Sequence, residues 1–386
     1  MSPTPLGPEA LRLRRAHGAT RLAFLLVGTV WGSWAPHIAL VQARLGLSPG
    51  VLGLVLLTVA LGTLSTMPVI GGLITRSGSG PVVRAAAPFV ALALVLPALA
   101  PSLPLLVLGG VLLGGFSGAF DVAMNAQGIA IEARLKRPIV SALHAYYSLG
   151  GLLGAGAAAL LLPLIPPYAH VLLVTLVALG IALTAMRGLM PGGFDQGGGA
   201  KAFTLPPRAV LGIGALTLVA MMSEGAIQDW SAVYLYRDLA TGPGVAALGF
   251  AAFAATMTIG RFTGDRLRAR IDDGRLLVLS ALVAAAGLGG GLLIPYPAAL
   301  VLGLGLMGFG MANMVPLLFV AGARVPGIGP SVGLAAVATV GYMGFMAGPV
   351  VIGGIAQGLG LKVALLLVAL GVLCIALAAP RVLPKG

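Results

Sequence analysis

Asp121 and Glu224 each sit near the middle of a long apolar stretch. An ionisable side chain at membrane depth is costly and is a functional candidate by default. Asp121, Asn125, Gly128 and Glu132 recur at i, i+4, i+7 and i+11, and Glu224, Gln228 and Ser231 at i, i+4 and i+7, so each group shares one face of a helix. Two polar stripes that face each other would line a central cavity. Desolvation favours the neutral form of a carboxylic acid and solvent access favours the charged form, so either acid could take up and release a proton as its surroundings close and open. Either alone could instead be a hydrogen-bonded tie between helices.

Other residue types in the apolar stretches suit contact with a solute. Trp31, Trp34 and His37 lie in the first stretch, His144, Tyr147 and Ser148 in the fifth, Asn313 in the tenth and Tyr342 in the eleventh. They offer ring faces and hydrogen-bonding groups to a small organic molecule, although interface or packing roles stay open for the tryptophans and an interhelical bond for His144. Asp229 lies off the Glu224 face and reads as a packing or gating partner. Asp238 reads as a solvated loop residue. No Lys or Arg is expected at mid-membrane depth, which leaves Asp121 and Glu224 without a permanent counter-charge. A phosphate or dicarboxylate would want an arginine clamp, so the expected solute is neutral or cationic.

The elements that must hold these residues follow from composition. The chain has 386 residues, is 59% hydrophobic and only 9% charged, more apolar surface than a soluble domain can bury. Stretches at 20–43, 50–74, 82–100, 104–131, 138–164, 169–187, 208–235, 245–263, 275–293, 297–322, 330–354 and 360–380 are each long enough for a membrane-spanning helix. All but Arg44, Arg237 and Lys362 of the 23 Lys and Arg residues fall at every second break between them. By the positive-inside rule those breaks and both termini face the cytoplasm. The net charge of +13 is spread over short loops without interleaved aromatics, which fits anionic headgroups rather than nucleic acid. Arg12 to Arg21 before an apolar run imitates a signal peptide, but removing that run would break the alternation of charge.

A polar, glycine-rich segment at 191–207 divides the chain into 1–190 and 208–386, six stretches each, and reads as a cytoplasmic linker. Gly71 to Arg76 closes the second stretch much as Gly260 to Arg266 closes the eighth, which points to parallel repeats in an all-α membrane protein of twelve helices. Spans one, four, five, seven, ten and eleven should line the centre, since they hold the polar and glycine-rich faces; spans three, six and twelve should face lipid. Asp265, Arg266 and Arg261, with Arg76 in the first half where Thr75 replaces the acid, are expected to form unequal latches that hold the outward-facing state.

Several motifs are missing or out of context. Cys374 is the single cysteine, so no disulfide framework or thiolate metal cluster is expected. Gly303, Gly305 and Gly308 form a GxGxxG string with no strand before it, which suits helix packing better than a nucleotide. No Gly-Lys-Ser/Thr loop, His-Glu-x-x-His motif or cofactor fingerprint occurs, so a primary pump and an enzyme are disfavoured and no cofactor or metal is expected.

Asp121-Val-Ala-Met-Asn125-Ala-Gln127 with Glu132, Ser141-Ala-Leu-His144-Ala-Tyr-Tyr-Ser148, and Glu224-Gly-Ala-Ile-Gln-Asp229-Trp230-Ser231 resemble the major facilitator superfamily, and within it the fucose-permease-like branch with its related bacterial inner-membrane proteins. The likeness runs the whole length. The loop signature Gly-x-x-x-Asp-Arg-x-Gly is matched by Gly71, Arg76 and Gly78. In the fucose symporters an acid on span four, four residues before an asparagine, binds sugar and is linked to proton movement, and Asp121 and Asn125 match that pair. Those symporters also carry an acid on span one, absent here, a role the resemblance leaves to Glu224. It implies a monomeric, proton-coupled secondary transporter in the inner membrane that moves a small, sugar-like solute. A drug or metabolite exporter working as a proton antiporter is the alternative, and a non-transporting membrane sensor a more distant one.

Overall fold

The computed structural model describes residues 8–195 and 207–383, which fold into twelve helical spans with no strand among them. The first half holds α1 (Pro8–Leu45), α2 (Pro49–Ser77), α3 (Ser79–Ala93, then Val95–Leu99), α4 (Leu103–Leu135), α5 (Val140–Leu161) and α6 (Pro167–Thr184). The second holds α7 (Leu211–Val233), α8 (Pro243–Arg268), α9 (Asp273–Leu293), α10 (Pro297–Met311, then Met314–Ala323), α11 (Pro330–Leu359) and α12 (Leu361–Val382). Eleven of these spans are long and apolar enough to cross a membrane. The remaining one, α5, has 22 residues and carries His144, Tyr146, Tyr147 and Ser148, which lower its hydropathy. Residues 196–206 of the expected linker lie outside the described residues.

Proline sets several boundaries. It occupies the first turn of α2, α4, α6, α10 and α11, where its missing N–H would have no helical partner. At two places further into a span the same deficit coincides with a break, whereas Pro36, Pro68, Pro88, Pro349 and Pro380 are carried inside continuous helix. Pro97 cannot donate to the carbonyl of Ala93, where the first part of α3 stops, and Pro316 cannot donate to Ala312, where α10 is interrupted.

The packing repeats with a shift of six. α1 lies on α5 as α7 lies on α11, α2 on α4 as α8 on α10, and α3 on α6 as α9 on α12. Small residues make these seams, because lipid offers no hydrophobic drive to bring helices together and contact must come from close backbone approach. A Cβ on Gly28 or Gly32 of α1 would meet the backbone of Tyr147 or Gly151 of α5, and one on Gly344 of α11 would meet the Leu218 carbonyl of α7. Thr63 on α2 donates to the Gly114 carbonyl of α4 at 3.1 Å, and Thr256 on α8 donates to the Gly305 carbonyl of α10 at 2.6 Å. The two bonds hold matching places in the two halves.

The halves meet through α2 against α11 and α5 against α8. This seam is tightest at the end away from the basic breaks. There a Cβ on Gly53 would lie 2.5 Å from the Pro349 carbonyl, one on Gly353 would lie 2.7 Å from that of Pro49, and one on Gly244 would lie 2.7 Å from that of Ala159. Ala158, Leu162 and Ala247 form a small buried cluster beside them. The Gly50 amide donates to Gln357 Oε1 at 3.2 Å and Arg237 donates to the Leu47 carbonyl at 3.3 Å, both across the seam. Halfway along, a Cβ on Gly151 would lie 3.8 Å from Ala254, and at the basic end of α2 a Cβ on Gly71 or Gly72 would meet nothing within 4 Å.

Two glycines of α5 test this packing on one helix. Gly154 faces the Thr29 carbonyl of α1, whereas Gly156 has open space around it. Gly154→Val should therefore destabilise the protein by roughly 2 kcal/mol or more through overpacking, while Gly156→Val should be close to neutral. Thermal unfolding of both in the same detergent checks this, and equal midpoints would refute the account.

Candidate functional site

The two polar stripes converge at mid-membrane. Asp121 on α4 accepts a hydrogen bond from Asn125 one turn along, at 3.2 Å to Oδ1, and the same amide also donates to the Asp121 carbonyl at 2.9 Å. Tyr147 on α5 and Tyr342 on α11 come from opposite halves, and each lies close enough to both Asp121 and Glu224 to feel their charges. Tyr342 is 46% exposed despite that central place, so the volume between the halves is open beside it. A pocket next to Glu224 is lined by Trp31 of α1, Tyr147 and Ser148 of α5, Gln228 of α7, and Phe250, Phe253 and Met257 of α8.

The expectation that no cation reaches this depth is overturned. Arg261 Nη2 lies 3.4 Å from Glu224 Oε1, with both side chains largely buried, and its Nη1 donates to Ser148 Oγ at 2.6 Å and to the His144 carbonyl at 3.4 Å. The cause is the direction of the two helices. Side chains lean toward the N-terminus of their helix. α8 begins at the end opposite the basic breaks and α7 begins at the basic end, so Arg261 leans toward the middle and Glu224 leans to meet it. Arg261 therefore bridges α8, α7 and α5 rather than standing in a loop latch, and the premise for a neutral or cationic solute falls.

The remaining candidates divide. Trp34 is buried in α1 behind the pocket, with its indole N–H unpartnered among the described residues. The His144 ring stands edge-on to Phe24 with 5.2 Å between centroids. Asn313, at the break in α10, donates to the Gly260 carbonyl at 3.4 Å and abuts Gly264, so it ties α10 to α8 rather than lining the pocket. Glu132 ends the Asp121 stripe as a cap, its Oε2 accepting the Ile139 and Val140 amides at 2.7 and 3.0 Å. Sequence reasoning left α8 out of the lining. Phe250, Phe253, Met257 and Arg261 fall at i, i+3, i+7 and i+11, and that single face was the available clue.

At the basic end Arg76 and Arg266 are exposed, and the Asp265 side chain lies outside the described residues. A charge cluster does form nearby from other residues. Asp273 accepts two bonds from Arg268, at 3.0 and 3.2 Å, and one from Arg324 at 3.1 Å. It knots the ends of α8, α9 and α10 and stays within the second half. The first half is stitched differently, with Asp195 Oδ1 accepting the Ser79 amide at 2.9 Å and Arg84 donating to the carbonyls of Met186 and Leu189.

No family model matches the chain. An uncharacterised MFS-type transporter of Yersinia pestis is 34% identical over 365 residues, which cover 94% of this chain and 95% of that protein. The chain belongs to the major facilitator superfamily. The membrane protein MosC of Rhizobium meliloti is also 34% identical, over 360 residues, covering 92% of this chain and 87% of that one. Transporter y4wD of Sinorhizobium fredii is 32% identical over 364 residues, covering 92% and 95%. Among solved structures the nucleoside transporter NupG and its D323A mutant superpose with TM-scores of 0.71 and 0.74 at 12% and 14% identity, over 96% and 95% of this chain and 98% and 99% of theirs. At that identity the likeness is one of fold. The protein is a multi-pass membrane transporter of the superfamily's bacterial inner-membrane type.

The arginine knot generates a prediction of its own. Asp273→Asn should lower the thermal midpoint in low-salt detergent solution by an amount worth about 1 kcal/mol or less, because Arg324 is mostly solvent-exposed. Added salt should erase the difference between variant and parent. A salt-independent difference would mean that Asp273 acts through something other than its ion pairs.

Proposed function

We propose that the chain is a proton-coupled secondary transporter of a small, hydroxylated, ring-bearing organic solute, moved by alternating access of a site between the halves. One observation supports this most directly: Tyr147 and Tyr342, one from each half, each lie near both Asp121 and Glu224, which suits two acids that address a single central volume. Trp31 and Tyr147 offer ring faces, and Asn125, Gln228 and Ser148 offer hydrogen bonds to hydroxyls. NupG is a nucleoside transporter by name, and a nucleoside combines the same two features, a flat ring and a polyhydroxylated one.

We take the basic breaks to lie in the cytoplasm by the positive-inside rule, and the tight seam at the other end with the open surroundings of Gly71 and Gly72 then supports an inward-facing state. Arg76, Arg266 and Asp265 then stand where the inner ends meet when the molecule turns outward, and are proposed as the inner gate. The transporter acts as a monomer, since each chain supplies both sides of the site. An exporter running as a proton antiporter is the second reading. It draws support from the apolar wall of Phe250, Phe253 and Met257, which suits a more lipophilic solute.

Purified protein in liposomes tests the proposal, with sugars and nucleosides as solutes. Under a pH difference alone the parent should concentrate at least one of them, or expel it in the antiport case. Asp121→Asn and Glu224→Gln fix the neutral form of each acid. The variant at the proton-carrying residue should lose pH-driven accumulation and keep solute exchange, which needs no net proton release. If both variants still concentrate solute, neither residue carries the proton.

A further inference from the structure

We propose that Arg261 is an anion seat occupied in turn by Glu224 and by a carboxylate of the solute, so that the solute class is a hydroxylated organic acid. This rests on the proton-coupled reading above, with Glu224 as the acid that takes up the proton. The pair is built loosely. A charge-assisted bond between arginine and a carboxylate commonly measures about 2.7–2.9 Å and engages both oxygens, whereas Arg261 meets one oxygen of Glu224 at 3.4 Å. Its shorter contact is to the neutral Ser148 hydroxyl at 2.6 Å, with the His144 carbonyl at 3.4 Å. Those two acceptors hold the guanidinium in place whatever the charge on Glu224.

Arginine does not give up its proton inside a protein. Once Glu224 is protonated, a buried cation remains at the centre of the membrane without a counter-charge, which is strongly unfavourable. Tyr147 and His144 of α5 lie near Arg261, Tyr342 of α11 lies near Glu224, and Asp121 of α4 lies near both tyrosines. Asp121 is bonded to Asn125 on its own helix and makes no bond to Arg261 among the described residues, so an incoming anion can take the place at Arg261 that Glu224 gives up. The guanidinium fork matches a carboxylate with two parallel bonds, Gln228 and Ser148 lie in reach of neighbouring hydroxyls, and Trp31 and Phe250 provide an apolar wall. One proton on Glu224 with one solute carboxylate on Arg261 leaves the charge of the pair unchanged. Proton and organic anion can then cross together without moving net charge through this site.

The test reads binding alone, with sodium benzoate as the anion and benzyl alcohol as its neutral counterpart, by thermal shift at constant ionic strength. At pH 8, where a carboxylate is ionised, Glu224→Gln should be stabilised by benzoate with an apparent affinity at least about tenfold above that of the parent, the strength of one bond to a charged group. Benzyl alcohol should do much less, and Glu224→Gln combined with Arg261→Gln should lose the response. Should Glu224→Gln not fold, Glu224→Ala serves instead, with Arg261→Gln added to it as the control. Equal responses in the single and double variants, or in the parent and the single variant, overturn the anion seat. Proton-driven uptake of a neutral solute without any benzoate response removes this inference and leaves the transporter reading standing, while a benzoate response without proton-driven transport does the reverse.

Discussion

Close approach of helix backbones is the condition on which the rest of this molecule depends. In lipid no hydrophobic force favours one apolar helix surface over another, so a specific bundle needs surfaces that fit more closely to each other than to acyl chains. Glycine supplies that fit where Gly28 and Gly32 meet α5, where Gly114 meets the Val59 carbonyl, and where Gly308 meets that of Phe253. These contacts draw α1 onto α5 and α8 onto α10, which in turn sets Trp31, Tyr147 and the α8 face around one point. The same seams explain why the two halves look alike in packing while differing in chemistry, since small residues repeat with the architecture and charged ones do not.

Charge at the centre is arranged by helix direction more than by position along the chain. Glu224 and Arg261 lie at different heights on α7 and α8 and meet because the two helices run oppositely and their side chains lean toward each other. Asp121 has a neutral partner in Asn125, so the two halves bring unlike acids to the shared volume, one amide-bonded and one ion-paired. The path of Arg261 across to Ser148 also ties the halves together at mid-depth, where the glycine contacts between them have already loosened.

Much of the architecture was legible in the residues alone. The apolar stretches marked the spans, and their expected starts at 50, 169, 297 and 330 fall within a few residues of the observed ones at Pro49, Pro167, Pro297 and Pro330. The fold followed, because span length and composition are local properties. The site was legible only where its residues share a helix, as with Asp121 and Asn125. Glu132 shared the stripe and yet caps α5, since the fate of a carboxylate at a helix end depends on which N-terminus the following loop brings beside it. Asn313 had the right depth, but the Pro316 break turned it onto Gly260. Arg261 was assigned to the latch and not to the centre because a position near the end of a span says nothing of where a long side chain reaches.

The outer end of the seam and the basic end are closed by different physics. Gly53 against Pro349, Gly244 against Ala159, and the Ala158, Leu162 and Ala247 cluster make a dry, uncharged contact, whereas the opposite end is ringed by arginines. Parting apolar surface into water carries a large positive heat capacity and becomes easier on cooling, while like-charged ends brought together respond chiefly to the ionic atmosphere. Temperature and salt therefore bear on opposite ends of the same molecule: cooling weakens the dry contact at one, and dilute buffer opposes drawing the arginine-ringed end together.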